Sequence, residues 1–84
     1  MKVHEFEKRV LPLKDNLLRV AYRITGNVEQ SEKIVEEVML QVWADRASLI
    51  VIEDLPAYCL TMARNRALRS YLGRAVEGES FAVG

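Results

Sequence analysis

Asn27-Val28-Glu29-Gln30-Ser31-Glu32-Lys33-Ile34-Val35-Glu36-Glu37-Val38-Met39-Leu40-Gln41-Val42-Trp43 is the stretch on which the fold turns. Ile34, Val38 and Val42 recur every fourth residue, and Val35, Met39 and Trp43 form the adjacent row. Two such rows make a broad apolar stripe down one face of an α-helix. The acids Glu29, Glu32 and Glu36 lie to one side of it, and Glu29 and Glu32 also favour the positive end of the helix dipole. Gly26 suits the left-handed position that closes a preceding helix. Asn27 is a good capping residue, and Gln30 completes a capping-box pattern with it. A helix is predicted over residues 28–45.

Toward the N-terminus, Phe6, Val10, Leu13, Leu17, Val20, Ala21 and Ile24 recur at steps of three and four. Pro12 interrupts that stripe, removing a backbone donor and clashing with the preceding turn. A short helix over 2–10 and a longer one over 13–25 follow. Toward the C-terminus, residues 46–54 read as a connection. Leu49-Ile50-Val51-Ile52 has strand-like composition but no second strand to pair with, so its apolar residues are expected to tuck into a bundle. Asp54 can cap the next helix, with Pro56 tolerated in its first turn. That helix is predicted over 55–72, ending at Gly73. Tyr58, Cys59, Met62, Ala63 and Ala67 are expected to face the core, with Tyr71 and Leu72 at its end. Residues 75–84 show no period and read as a tail, leaving residues 1–74 as the domain. The fold class is all-α: a small bundle of three main helices, the first broken near Pro12.

Composition narrows the function. The 84 residues make one domain, half of them hydrophobic. Cys59 is the only cysteine and His4 the only histidine, which argues against an internal disulfide and against a Cys- or His-based metal site. No signal-peptide pattern opens the chain. The longest apolar run, residues 49–52, is far too short to span a membrane. A cytoplasmic protein without a cofactor is the expectation. The net charge of zero conceals a segregation. Lys33 stands against Glu29, Glu32, Glu36, Glu37 and Asp45 in one segment, whereas Arg64, Arg66, Arg69 and Arg74 share another with no acid. Two surfaces of opposite sign suggest two different partners.

Three blocks carry a family resemblance. The run from Ala21 through Tyr22, Arg23, Ile24, Thr25 and Gly26 to Asn27 looks like the end of the first conserved stretch of extracytoplasmic-function (ECF) sigma factors. Ile34-Val35-Glu36-Glu37-Val38-Met39-Leu40-Gln41-Val42-Trp43 resembles their core-binding helix. Leu55-Pro56-Ala57-Tyr58 followed by Met62-Ala63-Arg64-Asn65-Arg66-Ala67-Leu68 resembles their final helix with its Ala-Arg-Asn signature. The blocks stand in the family's order and cover roughly residues 5–74. The resemblance implies a bacterial transcription initiation domain of region 2 type that is not an enzyme. Its acidic helix would dock on the clamp coiled coil of the largest subunit of RNA polymerase, through Glu32, Lys33, Glu36, Glu37 and Leu40. Its last helix and the preceding loop would bind the single-stranded non-template strand of the −10 promoter element and promote melting. Arg46, Ser48, Tyr58, Arg64, Asn65, Arg66 and Arg69 are the residues implied there. An anti-sigma factor is a further implied partner. Members also carry a second helical domain that reads the −35 element, and these 84 residues correspond to the first alone.

The chain departs from the pattern in its core-binding helix. Lys33 replaces an aspartate, Glu36 a glutamine and Met39 a phenylalanine. A lysine on a face meant for a basic partner repels it. These departures motivate a second reading, in which the fold serves as a protein-interaction or dimerisation module without promoter binding. Several residues also have plain structural readings. Trp43, Met39 and Met62 fit the core, Tyr58 fits core and base stacking about equally, and Cys59 fits a buried thiol. The arginines alone would suit a solvated basic face.

Overall fold

The apolar rows fold as helices. The computed structural model describes the backbone of residues 1–83 and the side chains of residues 1–73. Helix α1 (Val3–Arg9) leads through a 3-10 turn, Leu11–Leu13, into α2 (Lys14–Thr25). Helix α3 (Val28–Ala44) follows, then a second 3-10 turn, Ser48–Val51, and α4 (Leu55–Val83). No strand occurs among the described residues. The fold is the expected all-α bundle of three main helices, with the break at Pro12.

One core joins the helices. Helix α2 gives it Leu17 and Ala21, α3 gives Ile34, Val35, Val38 and Val42, and α4 gives Leu55, Cys59, Ala63 and Ala67. Val10, just before the first 3-10 turn, and Leu49, within the second, complete it. Each large side chain fully buried in this way contributes about 1.5–3 kcal/mol. Pro12 offers no N–H, and the chain tightens there: Leu13 N–H donates to the Val10 carbonyl at 2.9 Å, a three-residue step. Gly26 sits at φ +64, and its N–H donates to the Tyr22 carbonyl at 2.7 Å, closing α2. Asn27 Oδ1 accepts from Gln30 N–H at 2.8 Å, capping α3. Asp54 Oδ1 accepts from Ala57 N–H at 3.0 Å and does the same for α4.

Four details differ from the sequence expectation. The capping box is only half formed. Gln30 does not return to Asn27; its Nε2 donates instead to Ser70 Oγ on α4 at 3.0 Å, and Asn27 N–H finds Thr25 Oγ1 at 3.3 Å. A long amide side chain facing a neighbouring helix can bond across the bundle instead. The connection tucks in only at Leu49 and, in part, Ile52, while Ile50 and Val51 are 81% and 77% exposed. A single 3-10 turn cannot aim four consecutive side chains at one core. Helix α4 does not stop at Gly73 but runs on to Val83. Mid-helix glycine costs only about 1 kcal/mol, and Gly73 lacks the positive φ that closes α2 at Gly26. Tyr71 and Leu72 consequently do not close the core but stand 52% and 56% exposed.

Ser31 was not foreseen as a buried residue. It is fully buried, and its hydroxyl is satisfied, donating to the Asn27 carbonyl at 2.6 Å and meeting Thr25 Oγ1 at 2.9 Å. This small polar knot fixes the turn between α2 and α3, so the two helices meet at a defined angle.

Candidate functional site

Two surfaces of opposite charge lie on α3 and α4. On α3 the apolar rows face inward, which turns Glu29, Lys33, Glu36 and Leu40 outward at helical spacing. Glu32, Lys33, Glu36 and Leu40 are exposed, and Glu37 is half-buried. Leu40 is 61% exposed, an apolar group set among charges. Glu32, Glu36 and Met39 also line a groove of about 660 Å³ between α2 and α3. Its other wall is Leu11, Lys14, Asp15 and Leu18. That wall was not legible in the sequence, because nothing in it says which flank of α2 meets which flank of α3.

On α4 the core face is a narrow row of Leu55, Cys59, Ala63 and Ala67, one residue per turn. Arg64, Asn65 and Arg69 are therefore exposed. Arg66 lies one step closer to α3, where its Nη1 donates to Glu37 Oε2 at 2.9 Å. This pair joins two residues expected on different surfaces. It lines a cleft of about 340 Å³ between α3 and α4 with Gln30, Ile34, Arg69 and Ser70.

The remaining candidates cluster at the other end of α3. Arg46 stacks 4.0 Å from the centre of the Trp43 ring, and its Nη1 donates to the Trp43 carbonyl at 2.8 Å. Trp43 in turn meets Phe6 of α1 edge-on, with ring centres 5.3 Å apart. Trp43 is thus half-buried between these contacts and solvent rather than fully in the core. The Arg46 backbone N–H also donates to the Trp43 carbonyl, at 3.3 Å, so Arg46 closes the end of α3 twice over and anchors the start of the connection. Ser48 is exposed at the first position of the 3-10 turn, followed by Leu49 and the exposed pair Ile50 and Val51. Tyr58 and Met62 pack half-buried against the core. Cys59 is fully buried, and burial pushes its thiol pKa up, which disfavours the reactive thiolate.

Among the described residues no three His, Cys, Asp or Glu side chains gather as metal ligands. No helix among the described residues is long and apolar enough to cross a membrane. What the surfaces offer is recognition: an acidic and apolar face on α3, and a guanidinium-rich face on α4.

The family model for Sigma-70 region 2 matches residues 10–76. No curated protein and no solved structure matches the chain significantly. The match covers α2, α3, the connection and most of α4, and so includes both charged faces. It implies a role in transcription initiation, through core RNA polymerase and promoter DNA, for a domain type that is not enzymatic.

Proposed function

The chain belongs to the sigma-70 region 2 family, and from that premise we propose how its two faces divide the work. The outer face of α3 docks on the clamp coiled coil of the polymerase's largest subunit. Glu32 and Glu36 meet basic residues there, Leu40 and the groove beside Met39 take an apolar side chain, and Lys33 limits the attraction. Charge complementarity of this kind sets orientation and on-rate more than affinity. The connection and α4 take the single-stranded non-template strand of the −10 element and hold it open. Arg64 and Arg69 neutralise phosphates, Asn65 and Ser48 offer hydrogen bonds, and Tyr58 shows a ring edge to a base. Arg46 shapes the connection through Trp43 and Phe6. Melting follows because a base held outside the stack cannot re-pair, at an unstacking cost of a few kcal/mol.

Residues 1–74 are the working unit in this reading, in a cytoplasmic ECF-type factor of bacterial origin, with an anti-sigma factor as a competing partner. The observation that carries the reading is the exposure of Glu32, Glu36 and Leu40 together on one side of α3. Calorimetric titration of the whole chain with a clamp coiled-coil fragment at low salt tests it. Binding that Glu36→Lys abolishes is expected, and absence of binding by the unmodified chain refutes the docking. Glu36 is a cleaner probe than Glu37, because reversing Glu37 also breaks its pair with Arg66.

A second reading rests on Lys33 and the exposed Leu40: the α3 face as a self-association surface. Sedimentation would then give a dimer, and a −10 fork oligonucleotide would produce no salt-dependent anisotropy change.

A further inference from the structure

Glu37 and Arg66 stand on the two faces assigned to different partners, yet they hold each other at 2.9 Å. The Arg66 side chain is 26% exposed and that of Glu37 40% exposed, so both can be reached from outside. The pair rests on the single Nη1–Oε2 contact, so a partner cation that draws on the same carboxylate weakens its hold on the guanidinium. While the pair is closed, the Glu37 charge also sits beside any phosphate approaching Arg66 and opposes it. A second bond ties α3 to α4 at the same cleft. Gln30 Nε2 bonds Ser70 Oγ at 3.0 Å one turn further along α4, and Ile34 lies buried at the cleft floor. Arg69, exposed, lines the same cleft.

We propose that Glu37 and Arg66 form a latch that couples the two faces. In the free domain Arg66 is neutralised, and Arg64 and Arg69 alone meet nucleic acid. When a cationic surface takes Glu37, Arg66 is released in the α3–α4 cleft that it already lines, and a phosphodiester is held between Arg66, Arg69 and Ser70. The cleft is thus a phosphate subsite that opens with docking. Because linkage is reciprocal, nucleic acid held there favours the docked state by the same factor. The subsite rests on the two-faced reading above, whereas the latch itself concerns only Glu37, Arg66 and an anion.

Anisotropy titrations of the whole chain over a salt series test this without polymerase. The probes are a single-stranded −10 non-template oligonucleotide and a scrambled one of equal length. Glu37→Gln frees Arg66 and is expected to tighten binding about twofold to fivefold at low salt, the range of a half-exposed ion pair. It should also steepen the dependence of log K on log salt by about 0.7, one phosphate on a single strand. Arg66→Gln should change the unmodified chain little but abolish the gain in the double variant. Glu37→Ala serves if Glu37→Gln loses helix by far-ultraviolet dichroism. Unchanged affinity and slope in the Glu37 variant overturn the latch. So does a loss from Arg66→Gln that is as large with Glu37 present as without it. The gain on both oligonucleotides, without preference, keeps the latch and refutes the promoter reading. Preference without the gain does the reverse, and no binding of either oligonucleotide by any form overturns both.

Discussion

Helices α3 and α4 cross as neighbours in one bundle, yet they bury themselves by different means. α3 hides four branched side chains, Ile34, Val35, Val38 and Val42. α4 hides Leu55 and then only small residues, Cys59, Ala63 and Ala67. A broad branched stripe fills volume, whereas a small-residue row lets a backbone come close. The charges of the two helices, opposite in sign, meet at one point. Each helix offers only part of its charge: Glu37 and Arg66 neutralise each other where α3 meets α4, while Glu29, Glu32 and Glu36 on one and Arg64 and Arg69 on the other stand open. Formal charge on a helix is therefore a poor measure of the charge it offers a partner.

The largest expected effects break the packing contrast. Ile34→Ala leaves a cavity and should cost about 2–5 kcal/mol in denaturant unfolding. Ala63→Leu overfills the α4 row and should cost about 1–3 kcal/mol. If Ala63→Leu is tolerated without loss, α4 does not pack closely. Next come the two glycines expected to end helices. Gly26→Ala forces a side chain to φ +64 and should destabilise by about 1–2 kcal/mol. Gly73→Ala should instead stabilise by about 1 kcal/mol, because its backbone is helical and an added Cβ meets nothing within 4 Å. Thermal melts of both variants read the opposite signs directly.

Smaller effects sharpen the charge contrast. Arg46→Gln removes the stack on the protein's one tryptophan and should cost about 0.5–1 kcal/mol. Its signature is a change in Trp43 fluorescence, and an unaltered spectrum would contradict the stack. Arg66→Gln should cost less than about 1 kcal/mol, as expected of a half-exposed ion pair.

The helices and their caps were legible because they are local. Asn27, Gly26, Asp54 and Pro12 act within a few residues of themselves, so their pattern announces them. The split of charge between α3 and α4 was legible too, as was the inward turn of Ile34 and Val38. What stayed hidden needed two segments at once. The Glu37–Arg66 pair spans 29 residues and the Gln30–Ser70 bond 40. The Arg46–Trp43 stack is near in sequence, but the edge contact that Trp43 makes with Phe6 of α1 spans 37 residues. The exposure of Ile50 and Val51 was hidden for a related reason: apolar composition says that a segment wants burial, not that the turn can deliver it. Gly73 misled because glycine ends a helix only where the backbone goes left-handed.

In the proposed reading α3 and α4 serve different partners. Crossed titrations test it most directly, with Glu36→Lys and Arg64→Gln each measured against the clamp coiled-coil fragment and the −10 oligonucleotide. The expected result is a crossed loss. Glu36→Lys should abolish coiled-coil binding and spare the oligonucleotide, while Arg64→Gln should weaken the oligonucleotide and lower its salt slope by about 0.7, with the coiled coil unaffected. Parallel losses from either substitution on both partners would contradict the division.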